Sequence, residues 1–245
     1  MLKYSDFQDV QYQAAIYTPR PDFKIAAIVR EVFINLGDIL DGDPEIQSLP
    51  KELVELVPPE IPRIIFTNSK QIWRANIALS RVDLFASSVS VEKGVFCQKA
   101  LELFSIYSRI TSATVGRVAF VLTRIMEVES PGKMLAGHFC KESWIKSKAL
   151  NRPEDFKLHA YKKYKVDDTI GEANSWIKHN VGEVEYPDKS RKRGIIVEQD
   201  INTPIEFLET ANLNEDFRKH FFKVIPEEMK EILELYYPEE GQNDG

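Results

Sequence analysis

The sequence predicts an α+β fold built from two similar units, residues 1–112 and 113–245, packed into one body. Three observations predict it. The order strand, helix, three strands, long helix occurs twice, the second copy opening near Val115. The strand segments alternate with period two, as in a sheet with one covered and one wet face. Each half also closes on a long segment with apolar residues at three-and-four spacing, the signature of an amphipathic helix. The two orders match element for element without residue identity, and the expected architecture is antiparallel sheets covered by long helices.

Residues 10–18 (VQYQAAIYT) have the aromatic and β-branched content of a strand and end at Pro19 and Pro21. Asp22 stands where an N-cap belongs, and Ile25, Ile28, Val29, Val32, Phe33, Leu36 and Leu40 then follow a helical period. The connector DGDPEIQSLPKELVELVPPEIP holds five prolines and predicts only a short helix at 51–56. RIIFT at 63–67 ends in the polar turn Asn68-Ser69-Lys70. In 71–79, Trp73, Ala75, Ile77 and Leu79 share one side, with Arg74, Asn76 and Ser80 on the other, and Val82, Leu84 and Ala86 continue the pattern. A helix over 91–110 closes the first unit on Val95, Phe96, Ala100, Leu103, Phe104 and Tyr107.

The second unit opens with VGRVAFVLTRIMEV, where Val118, Phe120 and Leu122 alternate with Ala119, Val121 and Ile125. Apolar residues of both parities predict a central strand covered on both sides. Ser130-Pro131-Gly132 caps an expected helix over 133–145, followed by strands at 156–166, 172–181 and 193–201. A last helix over 214–235 starts at Asn214-Glu215-Asp216, and the tail PEEGQNDG is expected to fray.

Composition excludes whole classes. Apolar residues make up 43% of 245 positions, with 14 Phe, 9 Tyr and 3 Trp, which is enough for a real core and argues against general disorder. A net charge of −6 argues against a chain that is basic throughout. Cys97 and Cys140 have no metal-knuckle spacing and read as reduced thiols. The N-terminal stretch lacks the apolar run of a signal peptide, and no segment approaches a membrane span. The expectation is a cytoplasmic protein with no membrane partner.

No local motif announces chemistry. The histidines, His138, His159, His179 and His220, form no HExxH or HxH pattern, so neither a metal nor a cofactor is expected. There is no GxSxG elbow, GxxxxGK[ST] loop or GxGxxG turn, and Cys97 lies among apolar residues as a small core side chain. No catalytic residue is assigned. Glu198 and Asp200, on one strand near Asp188-Lys189, faintly resemble a nuclease's acidic pair but lack the acid-x-lysine element. A metal-dependent hydrolase therefore requires His159 or His179 to meet Glu198 or Asp200 in space.

Charge placement points to two candidate binding surfaces. Residues 141–193 carry 13 basic and 9 acidic side chains, whereas 198–245 carry 4 basic and 13 acidic. The basic ones concentrate in HAYKKYK and PDKSRKR, giving Lys157, Lys162, Lys163, Lys165, Arg191, Lys192 and Arg193 beside Tyr161 and Tyr164. Such a stripe can track phosphates and stack bases, or simply form a solvated face that balances the acidic last helix. The wet side of the first sheet offers Arg63, Arg74, Asn76, Arg81 and Asp83, residues that can line a polar groove or merely pair across strands.

Three segments, the early strand and helix, PRIIFTNSKQIWRANIAL, and GIIVEQDINTPIEFLETANLNEDFRKHFFKVI, together resemble a sporadically distributed, uncharacterised prokaryotic family of about this length; the central VGRVAFVLTRI is similar to its middle strand. The motifs are strand-and-helix patterns, so no functional residues carry over. The resemblance implies prokaryotic origin and patchy occurrence of the mobile-element or defence-associated kind.

The reading that follows is a non-enzymatic binding or assembly protein, an accessory component of a prokaryotic defence or toxin–antitoxin-like system, that holds a protein partner on its concave sheet surface or in the groove between its halves. Homodimerisation through an edge strand or the terminal helix is compatible with it. Nucleic-acid binding through 157–193 is the first rival, and the spatially assembled hydrolase is the second.

Overall fold

Strand β1 (Gln8–Tyr17) sets the plan, because a ten-residue strand with apolar side chains of both parities has to lie inside a sheet. It pairs antiparallel with β5 (Arg81–Ser87) on one side and β6 (Arg117–Glu127) on the other. The computed structural model describes residues 2–19, 22–47, 56–148, 151, 153–186 and 188–239. Its remaining elements are α1 (Ile25–Leu36), β2 (Glu45–Ile46), β3 (Ile64–Thr67), β4 (Trp73–Ile77), α2 (Lys93–Thr111), α3 (Pro131–Phe139), α4 (Glu142–Ile145), β7 (Leu158–Lys165), β8 (Glu172–Glu185), β9 (Arg191–Asn202) and α5 (Glu215–Tyr236). The fold is mixed α+β.

The expected pair of sheets is in fact one. Nine strands run in the order β2-β3-β4-β5-β1-β6-β9-β8-β7, every neighbouring pair antiparallel. After β1 the chain crosses through α1 to the outer edge and steps back inward through β3, β4 and β5. After β6 it crosses through α3 and α4 to the opposite edge and returns through β7, β8 and β9. The sheet is continuous because β1 and β6 pair along nearly their whole length, from Gln8↔Ile125 to Tyr17↔Arg117, with one bulge between Asp9 and Gln11.

The helices gather on one side. Tyr12, Ala14 and Ile16 of β1, Val118, Phe120 and Leu122 of β6, and Trp73, Ala75 and Ile77 of β4 point to the same face and are buried with Phe96, Leu103, Phe104 and Tyr107 of α2 and Phe221, Phe222 and Ile225 of α5. Phe96 is the hub of this layer, its ring centroid lying 5.3 Å from Tyr12 and 6.0 Å from both Trp73 and Phe120. A second cluster joins Leu135 of α3, Ile177 of β8, Ile195 and Val197 of β9, and Leu233 and Tyr237 around the end of α5. Among the described residues, no helix lies on the opposite face of the sheet. Strand β6 is central as expected, but only its Val118, Phe120 and Leu122 side lies under helices, while Val121 remains partly exposed on the other.

Element boundaries differ from the sequence reading where capping was misjudged. Asp22 is not the cap of α1, which begins at Ile25 with Lys24 before it and no side-chain cap bond. The single helix expected over 133–145 breaks at Cys140, whose backbone is extended, into α3 and α4. Asn214 does cap α5, accepting the Phe217 N–H at 2.9 Å. The short helix expected at 51–56 and the last residues of the tail fall outside the described residues.

One charged group is enclosed beneath the sheet. Arg124 of β6 is 2% exposed; its Nε donates to Asp9 Oδ1 at 2.8 Å, a further N–H donates to Gln199 Oε1, and its guanidinium lies 5.7 Å from the Tyr4 ring. Gln199 passes the link on by donating to the Met229 carbonyl at 2.8 Å. Four elements, β1, β6, β9 and α5, thus meet on one side chain. Arg124→Ala is expected to lower unfolding free energy by about 3 kcal/mol, because a buried network loses its only cation. Urea denaturation with an unchanged m-value would show this, and a loss below ~1 kcal/mol would mean the network contributes little.

Candidate functional site

The uncovered face of the sheet is where polar side chains of one parity accumulate on every central strand. Gln13 and Tyr17 of β1, Arg81 and Asp83 of β5, Arg117 of β6, Asp200 and Asn202 of β9, Asn174 and Trp176 of β8 and Tyr161 of β7 all project from it, as their registers require. At its middle, Tyr17 lies between two guanidinium groups, Arg81 at 5.0 Å and Arg117 at 4.8 Å from its ring centroid. Burial pushes the Tyr17 phenol above its ordinary pKa, with the two arginines working against it.

Contacts run from this tyrosine to both sides without a gap. Towards β5, Arg81 holds Asp83 through two N–H donors, each at 2.7 Å, and Gln13 donates to Asp83 Oδ1 at 2.8 Å. Towards β9, Arg117 donates to Asn202 Oδ1 at 2.6 Å and to the Thr203 carbonyl at 2.9 Å. Asn202 in turn donates to Asp200 at 2.8 Å and accepts from Asn174 at 3.2 Å. Burial raises the Asp200 carboxyl above its usual pKa. The chain ends at the far strand, where Tyr161 donates to Asn174 at 2.8 Å and packs on Trp176 with centroids 4.5 Å apart. These two rings are 52% and 40% exposed, the wettest aromatic pair on this face.

A wall rises at one end. The β8–β9 hairpin extends past the rest of the sheet, and its tip reaches back to the β3–β4 turn, where Lys189 Nζ donates to Gln71 Oε1 at 2.7 Å. Both residues have left-handed backbone, φ 67° and 54°. Gly194 permits the hairpin's approach, since a Cβ there would lie 2.1 Å from the Met126 carbonyl oxygen. Between the hairpin and the sheet lies a cavity of about 560 Å³ lined by Gln11, Arg74, Phe85, Thr123, Glu185 and Glu198 among others.

The residues singled out in the sequence divide. Arg74, Asn76, Arg81 and Asp83 stand on the open face, with Arg74 Nε donating to Asn76 at 2.9 Å. Arg63 does not line a wet surface: it is 5% exposed, and among the described residues neither terminal guanidinium nitrogen has a hydrogen-bond partner. The basic stretch is not one stripe. Lys165 faces Glu172 and Arg191 faces Glu185 at opposite ends of β8, a separation of roughly 40 Å along a strand of this length. Most of its members are already matched to carboxylates: Lys157 with Asp155, Lys163 with Glu172, Lys165 with Asp168, Arg191 with Glu185 and Lys192 with Glu127. Lys162 lies over the Tyr164 ring instead, at 5.2 Å, and Arg193 sits on β9 opposite Glu183.

The histidines do not assemble with the acidic pair. His159 is on the open face and meets Asn180 at 3.1 Å, while His179, one residue away in the ladder, points to the helix side. Glu198 is held by Lys178 at 2.5 Å, and among the described residues no group of three or more His, Cys, Asp or Glu is placed to hold a metal ion. Cys97 is half-buried and its thiol is pushed up to about 11 by burial, which keeps it protonated. Sequence reasoning missed Tyr17, Arg117, Asn174, Asn202 and Trp176. Their parity was readable from the alternation; their convergence depends on which strands become neighbours. Among the described residues no helix is long and apolar enough to cross a membrane.

His179 is a different kind of group. It is fully buried, its Nδ1 lies 2.7 Å from the Tyr237 hydroxyl, and Phe139 and Tyr236 pack on its ring at 5.1 and 5.0 Å. Burial, aided by His138 and His159, lowers its pKa to about 4. The unfolded value is higher, so the stability linked to the neutral ring is complete above pH ~6.5 and is lost as pH falls towards 4. The expected loss over that window is roughly 3 kcal/mol. Urea titrations of wild type and His179→Gln at several pH values test it: the variant's curve should be flatter between pH 6.5 and 4, and parallel curves would assign acid sensitivity elsewhere. In comparison with known proteins, the chain matches no family model and no curated sequence.

Proposed function

We propose that this chain is a non-enzymatic binding protein that holds a protein partner against the open face of its sheet. One observation carries the reading. The face combines an exposed aromatic pair, Tyr161 and Trp176, with a row of amides and with charges already neutralised in place by neighbours, Arg81 by Asp83 and Lys178 by Glu198. Aromatic anchors in a balanced polar field suit a protein surface, which presents both charge signs and many amides. A phosphate backbone demands a continuous track of cations, and the basic residues of 157–193 are divided between the two ends of β8. The hairpin wall adds to the case by making the face concave at one end.

The architecture supports a further part of the reading. We infer that 1–112 and 113–245 descend from one duplicated unit, because each begins on a central strand, crosses by helix to an edge and returns by antiparallel strands, four in the first half (β2 to β5) and three in the second (β7 to β9). Asp83 and Asp200, which both flank the central tyrosine, come from the strands that occupy equivalent places in the two halves, β5 and β9.

Trp176→Ala and Tyr161→Ala remove the anchors at little cost in stability, since both rings are largely solvated. Native mass spectrometry of protein purified from its own host is the measurement. Wild type should carry a second polypeptide in defined stoichiometry, and the double variant should retain it at least tenfold less. A bare chain in both preparations would end the proposal, and retained oligonucleotide would replace it with the nucleic-acid reading.

A further inference from the structure

The geometry points to a second binding surface, at the border of the open face: the outer edge of β7 is a docking site for an extended peptide that alternates apolar and acidic residues. Strand β7 ends the sheet, and among the described residues no strand pairs with its outer side. An eight-residue edge of this kind presents a row of unpaired backbone N–H and C=O groups, the template for adding a strand. Beside that edge runs the C-terminal half of α5, and the two do not close on each other. A groove of about 370 Å³ lies between them, walled mainly by carbon atoms of Ala160, Tyr164, Ile232, Leu235 and Tyr236. Leu235 is 82% exposed at its lip, the most exposed large apolar side chain among the described residues. An edge strand with a helix-walled apolar groove alongside gives a peptide both backbone pairing and pockets for alternate side chains.

Charge decides the occupant. On the open side of β7 the residues nearest an added strand are His159, Tyr161, Lys163 and Lys165, and the two lysines are held by exposed pairs to Glu172 and Asp168. Pairs of that kind are weak and readily exchanged for a better-placed acid. On the groove side, Glu228 accepts from the Tyr164 hydroxyl at 3.2 Å, and α5 carries Glu231 close by. Acidic side chains of the ligand therefore belong on the lysine side, and apolar ones on the groove side. A second copy of this chain does not fit, since pairing β7 with itself would set its lysines against one another. The same lysines are also what a bare edge uses to repel unwanted strands, and the experiment separates the two roles.

Random decapeptides displayed on phage are panned against wild type and, in parallel, against the Lys163→Glu, Lys165→Glu, Leu235→Glu triple variant. All three positions are on the surface, and matching thermal unfolding of the two proteins confirms an intact fold. Wild type should enrich peptides that alternate Asp or Glu with apolar residues, and these should bind the triple variant at least tenfold more weakly. Hydrogen exchange with the best synthetic peptide should slow amides within 158–165. Recovery of no peptide, equal binding by the variant, or enrichment of basic peptides would overturn the site and leave the lysines as edge protection alone. Protection confined to amides of β8 and β9 around Trp176 and absent from 158–165 would overturn it too, while leaving the open-face reading in place.

Discussion

The β1–β6 ladder is the constraint on which the rest of the molecule depends. Each strand alone is the inner edge of a smaller sheet, five-stranded for β1 and four-stranded for β6, apolar on both parities and unfit for solvent. Pairing them removes two exposed edges at once and fuses the strands into a single surface of nine. It also brings Phe120 under Phe96, so the α2 layer and the β6 strand share one core. Arg124 and Asp9 lock the same ladder from beneath, and Tyr17 and Arg117 pair at its far end on the open side. A slip of β6 by one residue in this register would turn Arg124, together with Val118, Phe120 and Leu122, to the open side.

Because the sheet is single, it has only one covered face. The chain's long helices, α2 and α5, both lie on that side and pack on each other through Phe104 and Phe222, 5.9 Å apart. Among the described residues no helix covers the opposite face, in keeping with its composition: side chains there satisfy one another laterally, across strands, in place of packing against a second layer. The result is a polar network held by neighbours at fixed strand spacing, with little freedom to rearrange.

The two ends of the molecule show opposite solutions to burying polar groups. At the end of α5, His179 is enclosed by Phe139, Tyr236 and Tyr237 and stays neutral, with one ring nitrogen satisfied by a hydroxyl. At the centre of the open face, Tyr17 and Asp200 sit among groups of both signs and keep many partners. The first arrangement ties packing to pH, and the second ties a surface to its own balanced charge.

What the sequence determined by itself was local: which segments become strands or helices, and which parity of each strand is polar. Period-two alternation located β4 and β5, three-and-four spacing located α1, α2 and α5, and Asn214 marked a helix start that the structure keeps. These are properties of neighbours along the chain. The tertiary structure alone decided everything that needs strand order. It joined the two halves into one sheet, separated His159 from His179 by turning them to opposite faces, and split the basic stretch between the ends of β8. It buried Arg63, and it gathered Tyr17, Arg81, Arg117, Asn202, Asn174 and Tyr161 from six strands spread over about 190 residues. The physical reason is that alternation specifies a face but never the neighbour on it. Neighbours are chosen by which apolar edges must be hidden together, and that choice belongs to the whole chain.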